Sequence, residues 1–159
     1  MKNIFAKSSI VLAIVFILIY LMCYFFKIHF NTTFSMPLGI YKEVKNNMIA
    51  KNDIVIFTIP QKKEILLKKV IATKGDFVEV NASGVFINKI FIPNSTIFKV
   101  DSNNNPLEFS PIKHILKDNE IFVKGVHVKS YDSRYFGVVN IINNEVKKVI
   151  PVLIFNINT

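Results

Sequence analysis

The sequence is poor in the residues that build several common kinds of functional site. Its one cysteine, Cys23, falls within an apolar run, so the chain can form neither an internal disulfide framework nor a thiolate metal cluster. It has only five glycines and no glycine-rich phosphate-binding loop. The three histidines, His29, His114 and His127, have neither close spacing nor nearby cysteines. We therefore expect no metal site and no cofactor.

Acidic residues are also scarce, with 11 Asp and Glu against 20 Lys and Arg and a net charge of +9. A basic chain can bind nucleic acid, but these lysines are scattered singly and in pairs among apolar residues rather than gathered in a dense run or a recognition helix. We therefore expect no nucleic-acid partner. Attraction to an anionic membrane surface is a simpler use of the lysines, and solubility of the domain is the alternative.

The sequence does contain one long apolar run, residues 8–26, which carries no charge over 19 positions. As a helix it would span roughly 28 Å, close to the thickness of the bilayer core. A secretory signal peptide is the competing interpretation, but such peptides have a shorter apolar run and a cleavage site of small residues. This run ends in bulky aromatic residues instead. We predict a cytoplasmic N-terminus at 1–7, an uncleaved transmembrane anchor at 8–26 and an extracytoplasmic domain at 27–159.

The predicted orientation rests on the positive charges at the N-terminus. Lys2 and Lys7 favour a cytoplasmic N-terminus, although Lys27 on the far side weakens the asymmetry. The protein is thus predicted to cross the inner (cytoplasmic) membrane once and to place its larger part on the periplasmic side.

The sequence beyond the apolar run is typical of β-strands. Its apolar segments are rich in β-branched and aromatic residues, are bounded by Gly, Pro, Asn and Asp, and lack sustained helical periodicity. The predicted strands are 53–60, 65–72, 77–80, 84–93, 120–125, 135–142 and 147–155, with a hairpin connection at 81–84. Residues 102–117 are predicted to form a flexible loop. The predicted fold class is mainly β.

The segment "NTTFSMPLGIY" at 31–41 contains the first candidate catalytic group, Ser35. A serine hydroxyl needs a base, and no Gly-x-Ser-x-Gly elbow supports a histidine such as His127 in that role, whereas lysine is the other known partner. Lys68 and Lys69 are adjacent in an apolar strand, so at least one meets the core or a dry cleft, where desolvation lowers a lysine pKa. The plain alternative places one lysine on the exposed face and the other at an edge.

Three segments, "SMPLGIY", "KKVIATKGD" and "SYDSRYFG", follow the apolar run in that order. They resemble the signatures of the type I signal peptidase family, and Met-Pro-x-Gly-x-Tyr is most similar to TraF-type conjugative-transfer peptidases, which mature pilin-like proteins. The resemblance implies a signal-peptidase-like antiparallel β-sheet domain behind one transmembrane helix. It also implies a serine endopeptidase with a Ser/Lys dyad that cleaves signal or leader peptides of secreted or pilin-like precursors, with small residues next to the cut.

The same resemblance assigns roles to individual residues. Ser35 matches the nucleophile and Lys68 the general base. Ser130 matches a hydroxyl that holds the lysine amine in line, and Thr33 stands where relatives offer a hydroxyl to the oxyanion hole. Each role has a physical basis, since the lysine can take the serine proton and pass it to the leaving amine while preorganised donors stabilise the oxyanion.

Other matched residues are predicted to shape the site. Asp132 and Arg134 correspond to a pair that braces it, and Gly75 with Asp76 forms part of the structure beside it. Met36 and Pro37 are predicted to contact substrate, with core packing as the alternative for Met36.

The sequence also departs from the family pattern. The segment 124–130 is shorter than in many relatives and lacks their acidic residues, Lys74 stands in place of a proline, and the chain has no room for the large inserted β-domain of some leader peptidases.

The position of Ser35 restricts its partners. Only nine positions separate Phe26 from Ser35, which keeps the serine within roughly 30 Å of the end of the apolar run. The expected partners are the lipid bilayer and a membrane-tethered precursor protein, which could bind as an extended segment at a sheet edge. An anchored, noncatalytic β-domain that scaffolds a secretion or conjugation apparatus is the alternative. The sequence does not distinguish a general signal peptidase from a dedicated maturation peptidase, or simple cleavage from closure of the product into a ring. The precursor, its cut site and the oligomeric state also stay open.

Overall fold

The computed structural model describes residues 2–45, 48–60, 62–101 and 104–155. The mainly β fold behind an N-terminal helix is confirmed. The elements in chain order are α1 Lys2–Phe26, β1 Ile28–Asn31, β2 Gly39–Glu43, β3 Ile54–Ile59, β4 Lys62–Ala72, β5 Phe77–Asn81, β6 Gly84–Ile87, β7 Ile90–Phe91, β8 Ile112–Ile115, β9 Glu120–Lys124, α2 Ser133–Phe136, β10 Val139–Asn140 and β11 Lys147–Ile154.

Helix α1 is apolar and long enough to cross a bilayer over Ser9–Phe26, and none of this stretch is buried within the described chain. A helix of this kind serves either as a membrane anchor or as a signal sequence. Residue 1 and the side chains of residues 2–8 lie outside the described part. The membrane orientation inferred from Lys2 and Lys7 therefore stays a prediction.

Seven strands form one antiparallel sheet in the order β1-β2-β11-β3-β4-β9-β10. Among the described strands, β1 pairs with β2 alone and therefore lies at an edge. Strand β9 pairs with β4 only from Lys69 onward, which leaves residues 62–68 of β4 paired with β3 alone. Besides the outer edge of β10, the described sheet thus has two open strand edges, one on β1 and one on the first half of β4.

A second, four-stranded sheet has the order β7-β6-β5-β8. The predicted hairpin connection at 81–84 is confirmed, because β5 and β6 pair through Asn81 and Gly84. The predicted single strand at 84–93 is wrong. Asn88 and Lys89 both have positive φ, at 51° and 70°, which suits a tight two-residue turn, so this run is the β6–β7 hairpin.

Two further predictions need correction. Residues 135–142 are not one strand, because Asp132 caps the short helix α2, Gly137 ends it at φ 85°, and only β10 follows. Residues 102–117 are not wholly loop, since β8 pairs with β5 along its length; residues 102 and 103 lie outside the described residues. The sequence also gave no indication of β1 and β2.

The buried apolar side chains form three clusters within the described chain. One lies beneath the large sheet, and one holds the small sheet against strands β4 and β9. The third lies under the loop that carries Ser35 and consists of Met36, Tyr41, Ile56, Leu67 and Val149. Burial of this cluster fixes the loop to the sheet, because apolar area removed from water is worth roughly 25 cal/mol per Å².

Candidate active site

The loop of residues 32–38 joins β1 to β2 and has Ser35, the predicted nucleophile, at its centre. It is here called the nucleophile loop after that prediction. Asn31 and Gly39 pair directly across its base. A side chain at Gly39 would collide with the backbone carbonyl of Leu153 on β11. Glycine is therefore required there, because β11 passes close to the base of the loop.

The side chain of Asn31 fills the inside of the nucleophile loop. Its Nδ2 donates to the backbone carbonyls of Thr33 (2.9 Å), Met36 (3.0 Å) and Pro37 (2.9 Å). Its Oδ1 accepts from the Thr33 hydroxyl at 2.9 Å and from the Thr33 N–H at 3.3 Å. Sequence reasoning missed this role. The signal available was an asparagine at the start of a tight loop, where its side chain commonly bonds the backbone two residues on.

Two residues of the "SMPLGIY" segment support the loop from below. The buried Tyr41 hydroxyl donates to the Pro37 carbonyl at 2.7 Å, and burial raises the pKa of Tyr41, so the phenol stays a neutral donor. Met36 is only 2% exposed and packs in the core cluster. Core packing, the alternative interpretation of Met36, is what its side chain shows, and contact of Met36 with substrate stays a prediction. Pro37 is exposed, and its predicted contact with substrate stays a prediction.

The Ser35 side chain is partly exposed and its Oγ lies 3.2 Å from the Thr33 Oγ1. The side-chain oxygen of Asn31, Oδ1, can only accept a hydrogen bond, so the Thr33 hydroxyl donates to it. Ser35 must then be the donor in its contact with Thr33. On the backbone side, the Ser35 carbonyl accepts from the Val126 N–H at 2.8 Å, which ties the loop to the end of β9.

Lys68 lies in β4 with its side chain buried at 3% exposure, whereas Lys69 beside it is half-buried on the opposite face. Burial lowers the pKa of Lys68 to about 8; Asp132 opposes this shift, and the positive charges of Lys62 and Arg134 add to it. About one molecule in ten then carries a neutral Lys68 amine at pH 7. The plain alternative placed one lysine on the exposed face and the other at an edge, whereas Lys68 is buried and Lys69 is half-buried.

Ser35 and Lys68 line the same cavity, which has a volume of about 340 Å³. Its walls come from β1, the nucleophile loop and the first half of β4, the regions that carry the two open strand edges. The lining residues are His29, Phe30, Asn31, Thr32, Thr33, Ser35, Tyr41, Ile56, Glu64, Ile65, Leu66, Leu67 and Lys68.

Ser130 comes close to the nucleophile loop at Gly125. A Cβ at Gly125 would collide with the Ser130 side chain and lie 2.8 Å from the Ser35 carbonyl oxygen. Because Lys69 pairs with Lys124, the register also brings Lys68 beside Gly125. The Ser130 Oγ is buried and has no hydrogen-bond partner in the part of the chain that the structure describes. Sequence reasoning missed Gly125, whose importance depends on contacts between distant segments.

Asp132 and Arg134 form a fully buried ion pair. The Arg134 Nε donates to Asp132 Oδ1 at 2.7 Å and Nη2 donates to Oδ2 at 2.9 Å, which is a bidentate arrangement. Asp132 also accepts from the Gly125 N–H at 3.0 Å. The remaining Arg134 donors bind the carbonyls of Thr96, Val128 and Ser130. This network, here called the brace, connects the "SYDSRYFG" segment to the end of β9 and to the chain between β7 and β8.

Gly75 and Asp76 lie at the turn from β4 to β5 and not along the cavity. Gly75 has φ 86°, a conformation that glycine adopts without strain. Asp76 accepts from the Thr73 N–H at 3.0 Å and from the Asn88 side chain at 2.7 Å. The pair therefore shapes the connection between the two sheets.

Two other basic side chains complete the surroundings. His127 is exposed, its Nδ1 accepts from the Lys129 N–H at 3.2 Å, and it does not line the cavity that holds Ser35. Lys124 is a second buried lysine, whose Nζ donates to the Gly125 carbonyl at 3.0 Å. Burial lowers the pKa of Lys124 as well. As the cross-strand partner of Lys69, it lies on the face opposite Lys68.

The sequence of the chain is similar to signal peptidases and to plasmid transfer proteins. The family described as signal peptidase, peptidase S26, matches residues 2–152. The chain is similar to two plasmid transfer proteins TraF from Escherichia coli. One is 32% identical over 132 residues, covering 69% of this chain and 74% of the relative. The other is 31% identical over 146 residues, covering 77% and 80%. The crystal structure of a signal peptidase I from Enterococcus faecalis V583 aligns with 23% identity and a TM-score of 0.39, over 67% of this chain and 97% of that one.

Proposed function

Because the chain belongs to the signal peptidase S26 family, we propose that it is a membrane-anchored serine endopeptidase in which Ser35 and Lys68 form the catalytic dyad. Its substrates are signal or leader peptides of secreted or pilin-like precursors. The observation that carries the proposal is the buried Lys68, with its pKa lowered to about 8, on the wall of the cavity that Ser35 also lines.

The proposed reaction is a two-step acyl transfer. The neutral Lys68 amine accepts the Ser35 proton as Ser35 Oγ attacks the scissile carbonyl, and the resulting ammonium then protonates the departing amine. Water releases the acyl group in the second step with Lys68 again as base. The Ser35 N–H and the Thr33 hydroxyl are the proposed oxyanion donors, each worth about 10² to 10³ in rate in comparable sites.

Ser130 is the proposed partner of the lysine amine. Its buried Oγ is unpartnered among the described residues and lies against Gly125, beside Lys68 in the register of the sheet. A hydroxyl that accepts from the amine would direct the lysine lone pair toward Ser35. The brace holds Ser130 in place, since Arg134 binds the Ser130 carbonyl.

The two open strand edges support an extended substrate. A peptide lying in the cavity could pair with β1 or with residues 62–68 of β4, whose edges the described strands leave free. Alternate side chains would then point into the cavity, whose walls include Phe30, Leu66 and Leu67. A cavity of about 340 Å³ shared with the peptide backbone favours small side chains at the cut.

Anchoring by α1 at the cytoplasmic membrane, with the β domain on the periplasmic side, completes the proposal. The helix ends at Phe26 and β1 begins at Ile28, so the cavity lies near the end of the span. The names of the two Escherichia coli relatives support a substrate in conjugative transfer, which favours a dedicated maturation peptidase over a general signal peptidase.

The test uses membranes that contain the full-length protein and candidate precursors, with products weighed by mass spectrometry. Wild type should cleave, and Ser35→Ala and Lys68→Ala should not. Ser83→Ala, at an exposed serine in the β5–β6 turn, should cleave as wild type does. Retained cleavage in either dyad variant contradicts the proposed site. Absence of cleavage by wild type across the precursors favours the noncatalytic scaffold. The masses also separate cleavage from ring closure, since the closed product lacks one water.

A further inference from the structure

We propose that Asn31 is a positioning residue of this site, which holds the nucleophile loop closed and sets the direction of the Thr33 hydroxyl through its side-chain carbonyl. The inference rests on the proposed function and assigns a part of the reaction to a residue that touches no reacting atom.

The orientation of the Asn31 amide follows from its surroundings. The nitrogen faces three backbone carbonyls, which can only accept, and the oxygen faces the Thr33 N–H and hydroxyl, which can donate. Exchanging the nitrogen and oxygen would place acceptor against acceptor at three contacts. The buried side chain therefore has one orientation and uses both ends on the loop that carries Ser35.

A directed chain of hydroxyl groups results. Ser35 donates to Thr33, which lies 3.2 Å away, and Thr33 donates to Asn31 at 2.9 Å. In the substrate-free enzyme the Ser35 proton is thus directed toward Thr33, and the Thr33 proton toward Asn31. Thr33 can serve an oxyanion only after its proton has turned away from Asn31.

Catalysis would reverse this arrangement without any additional reactant. When Lys68 takes the Ser35 proton, Thr33 Oγ1 loses its incoming hydrogen bond, and its own hydroxyl can turn toward the oxyanion. The Ser35 proton passes to the Lys68 Nζ and then to the leaving amine, while the Thr33 proton stays on Thr33 throughout. Asn31 keeps Thr33 in place through its bonds to the Thr33 N–H and carbonyl.

A matched control is available at Asn144, which also braces a turn with both ends of its side chain. Its Nδ2 donates to the Thr58 carbonyl at 2.8 Å and its Oδ1 accepts from the Asn140 N–H at 3.1 Å. Asn144 contacts no hydroxyl in the described hydrogen bonds and does not line the cavity that holds Ser35. Its replacement tests what loss of a purely structural asparagine does to the rate.

The experiment measures kcat and KM of the full-length protein in detergent on a cleaved precursor, for wild type, Asn31→Ala, Asn144→Ala, Thr33→Val and the Asn31→Ala/Thr33→Val double variant. We expect Asn31→Ala to lower kcat about 10²-fold, as loss of an oxyanion donor does, with KM changed by less than about threefold. Asn144→Ala should keep kcat within about twofold. The two single losses should be clearly less than multiplicative in the double variant, because both act through one hydroxyl.

Asn31→Asp decides the question if Asn31→Ala does not fold. It has nearly the same shape, keeps an acceptor for Thr33 and replaces the loop donors with a negative charge in the cavity that Lys68 also lines. We expect a kcat loss of about tenfold and a pH profile of kcat/KM displaced to higher pH, because a nearby negative charge favours the charged lysine.

Unchanged kcat in a folded Asn31→Ala protein overturns the inference. If Asn31→Ala does not fold, unchanged kcat in Asn31→Asp overturns it instead. Fully multiplicative losses of kcat in the double variant also overturn it. Failure of the proposed function is seen separately, as a wild-type protein without Ser35-dependent cleavage.

Discussion

The segment 130–134 contains two kinds of buried polar group. In the brace, Asp132 and Arg134 bond each other twice, and Arg134 also binds three carbonyls. Four residues from Arg134, the Ser130 hydroxyl has no partner among the described residues. Lys68, on strand β4, is buried enough that its pKa is lowered to about 8.

The difference separates what holds the fold from what serves the reaction. Buried polar groups in folded proteins are normally satisfied, and an exception calls for an explanation. The brace obeys this rule and should stabilise the protein. Ser130, beside the proposed dyad, departs from it, and the proposed site should lower stability in exchange for activity, as reactive sites do. The following variants test that division.

The largest effect should come from Lys68→Met. We expect cleavage to fall by at least about 10⁴-fold, as loss of a catalytic base does, while the free energy of unfolding rises by about 1 to 3 kcal/mol, because an apolar side chain replaces a buried amine. Lys124→Met is the control, since Lys124 is buried on the opposite face, and it should retain cleavage. Cleavage kinetics and urea unfolding measure the two quantities. An active Lys68→Met protein would end the assignment of this lysine as base.

The brace should respond in the opposite way. Arg134→Met leaves Asp132 buried without its partner, and we expect the free energy of unfolding to fall by about 3 to 5 kcal/mol. The double variant Asp132→Asn/Arg134→Met should lose less, because it removes the uncompensated charge. Urea unfolding of the three proteins measures the difference. If the single variant is as stable as wild type, the brace does not stabilise the fold.

The pH dependence of activity should show the titration of Lys68. With a pKa of about 8, the population of the neutral Lys68 amine increases about tenfold between pH 7 and pH 9. The value of kcat/KM should rise by the same factor, with its midpoint at about pH 8. Initial rates across this range measure it. A profile that is flat from pH 7 to 9 contradicts Lys68 as the base.

The same titration affects stability with a defined sign. Lys68 has its pKa lowered from 10.5 to about 8 in the folded protein, so between these values the unfolded chain binds the additional proton. The free energy of unfolding of wild type should therefore rise from pH 8 toward pH 10. Lys68→Met should lack this contribution, and the difference between the two proteins isolates it from other groups that titrate there.

The smallest effects should come from two serines in the same segment. Ser130→Ala removes the hydroxyl that we propose directs the Lys68 amine, so kcat/KM should fall about tenfold. Because this hydroxyl has no partner among the described residues, the free energy of unfolding should stay within about 0.5 kcal/mol of wild type. Ser133 accepts a hydrogen bond from the buried Val123 N–H at 3.0 Å. Ser133→Ala should instead cost about 1 to 3 kcal/mol, because that N–H loses its partner. Equal behaviour of the two variants would remove the distinction between a serine of the proposed site and one that supports the fold.

The sequence predicted those parts of the fold whose pattern is local. Strands β3, β4, β5, β9 and β11 follow apolar runs with clear boundaries, and they were predicted within a few residues. Strands β1 and β2 flank a segment of turn-forming residues, and β2 also pairs with β11, which is distant in the sequence. The run at 84–93 looked continuous because Asn88 and Lys89 form a turn without a glycine.

The site divided in the same way. Family signatures pointed to Ser35, Lys68 and Ser130, and the structure brings the three segments together around Gly125. The roles of Gly125 and Asn31 depend on which backbone groups approach them in three dimensions, and neither residue stands out by spacing or composition. Met36 was ambiguous because an apolar side chain in a signature segment fits equally well in a core or beside a substrate.

The joint between helix and sheet has a consequence for how precursors are selected. Lys27 alone separates α1 from β1. The Glu43 carboxylate contacts both sides of this connection, with Lys27 Nζ at 3.5 Å and His29 Nε2 at 2.8 Å. Strand β1 then ends at Asn31, the residue that holds the nucleophile loop. If α1 is the membrane anchor that we propose, this short linker would hold Ser35 at one height above the lipid. The bond to be cut would then be the one that a tethered precursor presents at that height.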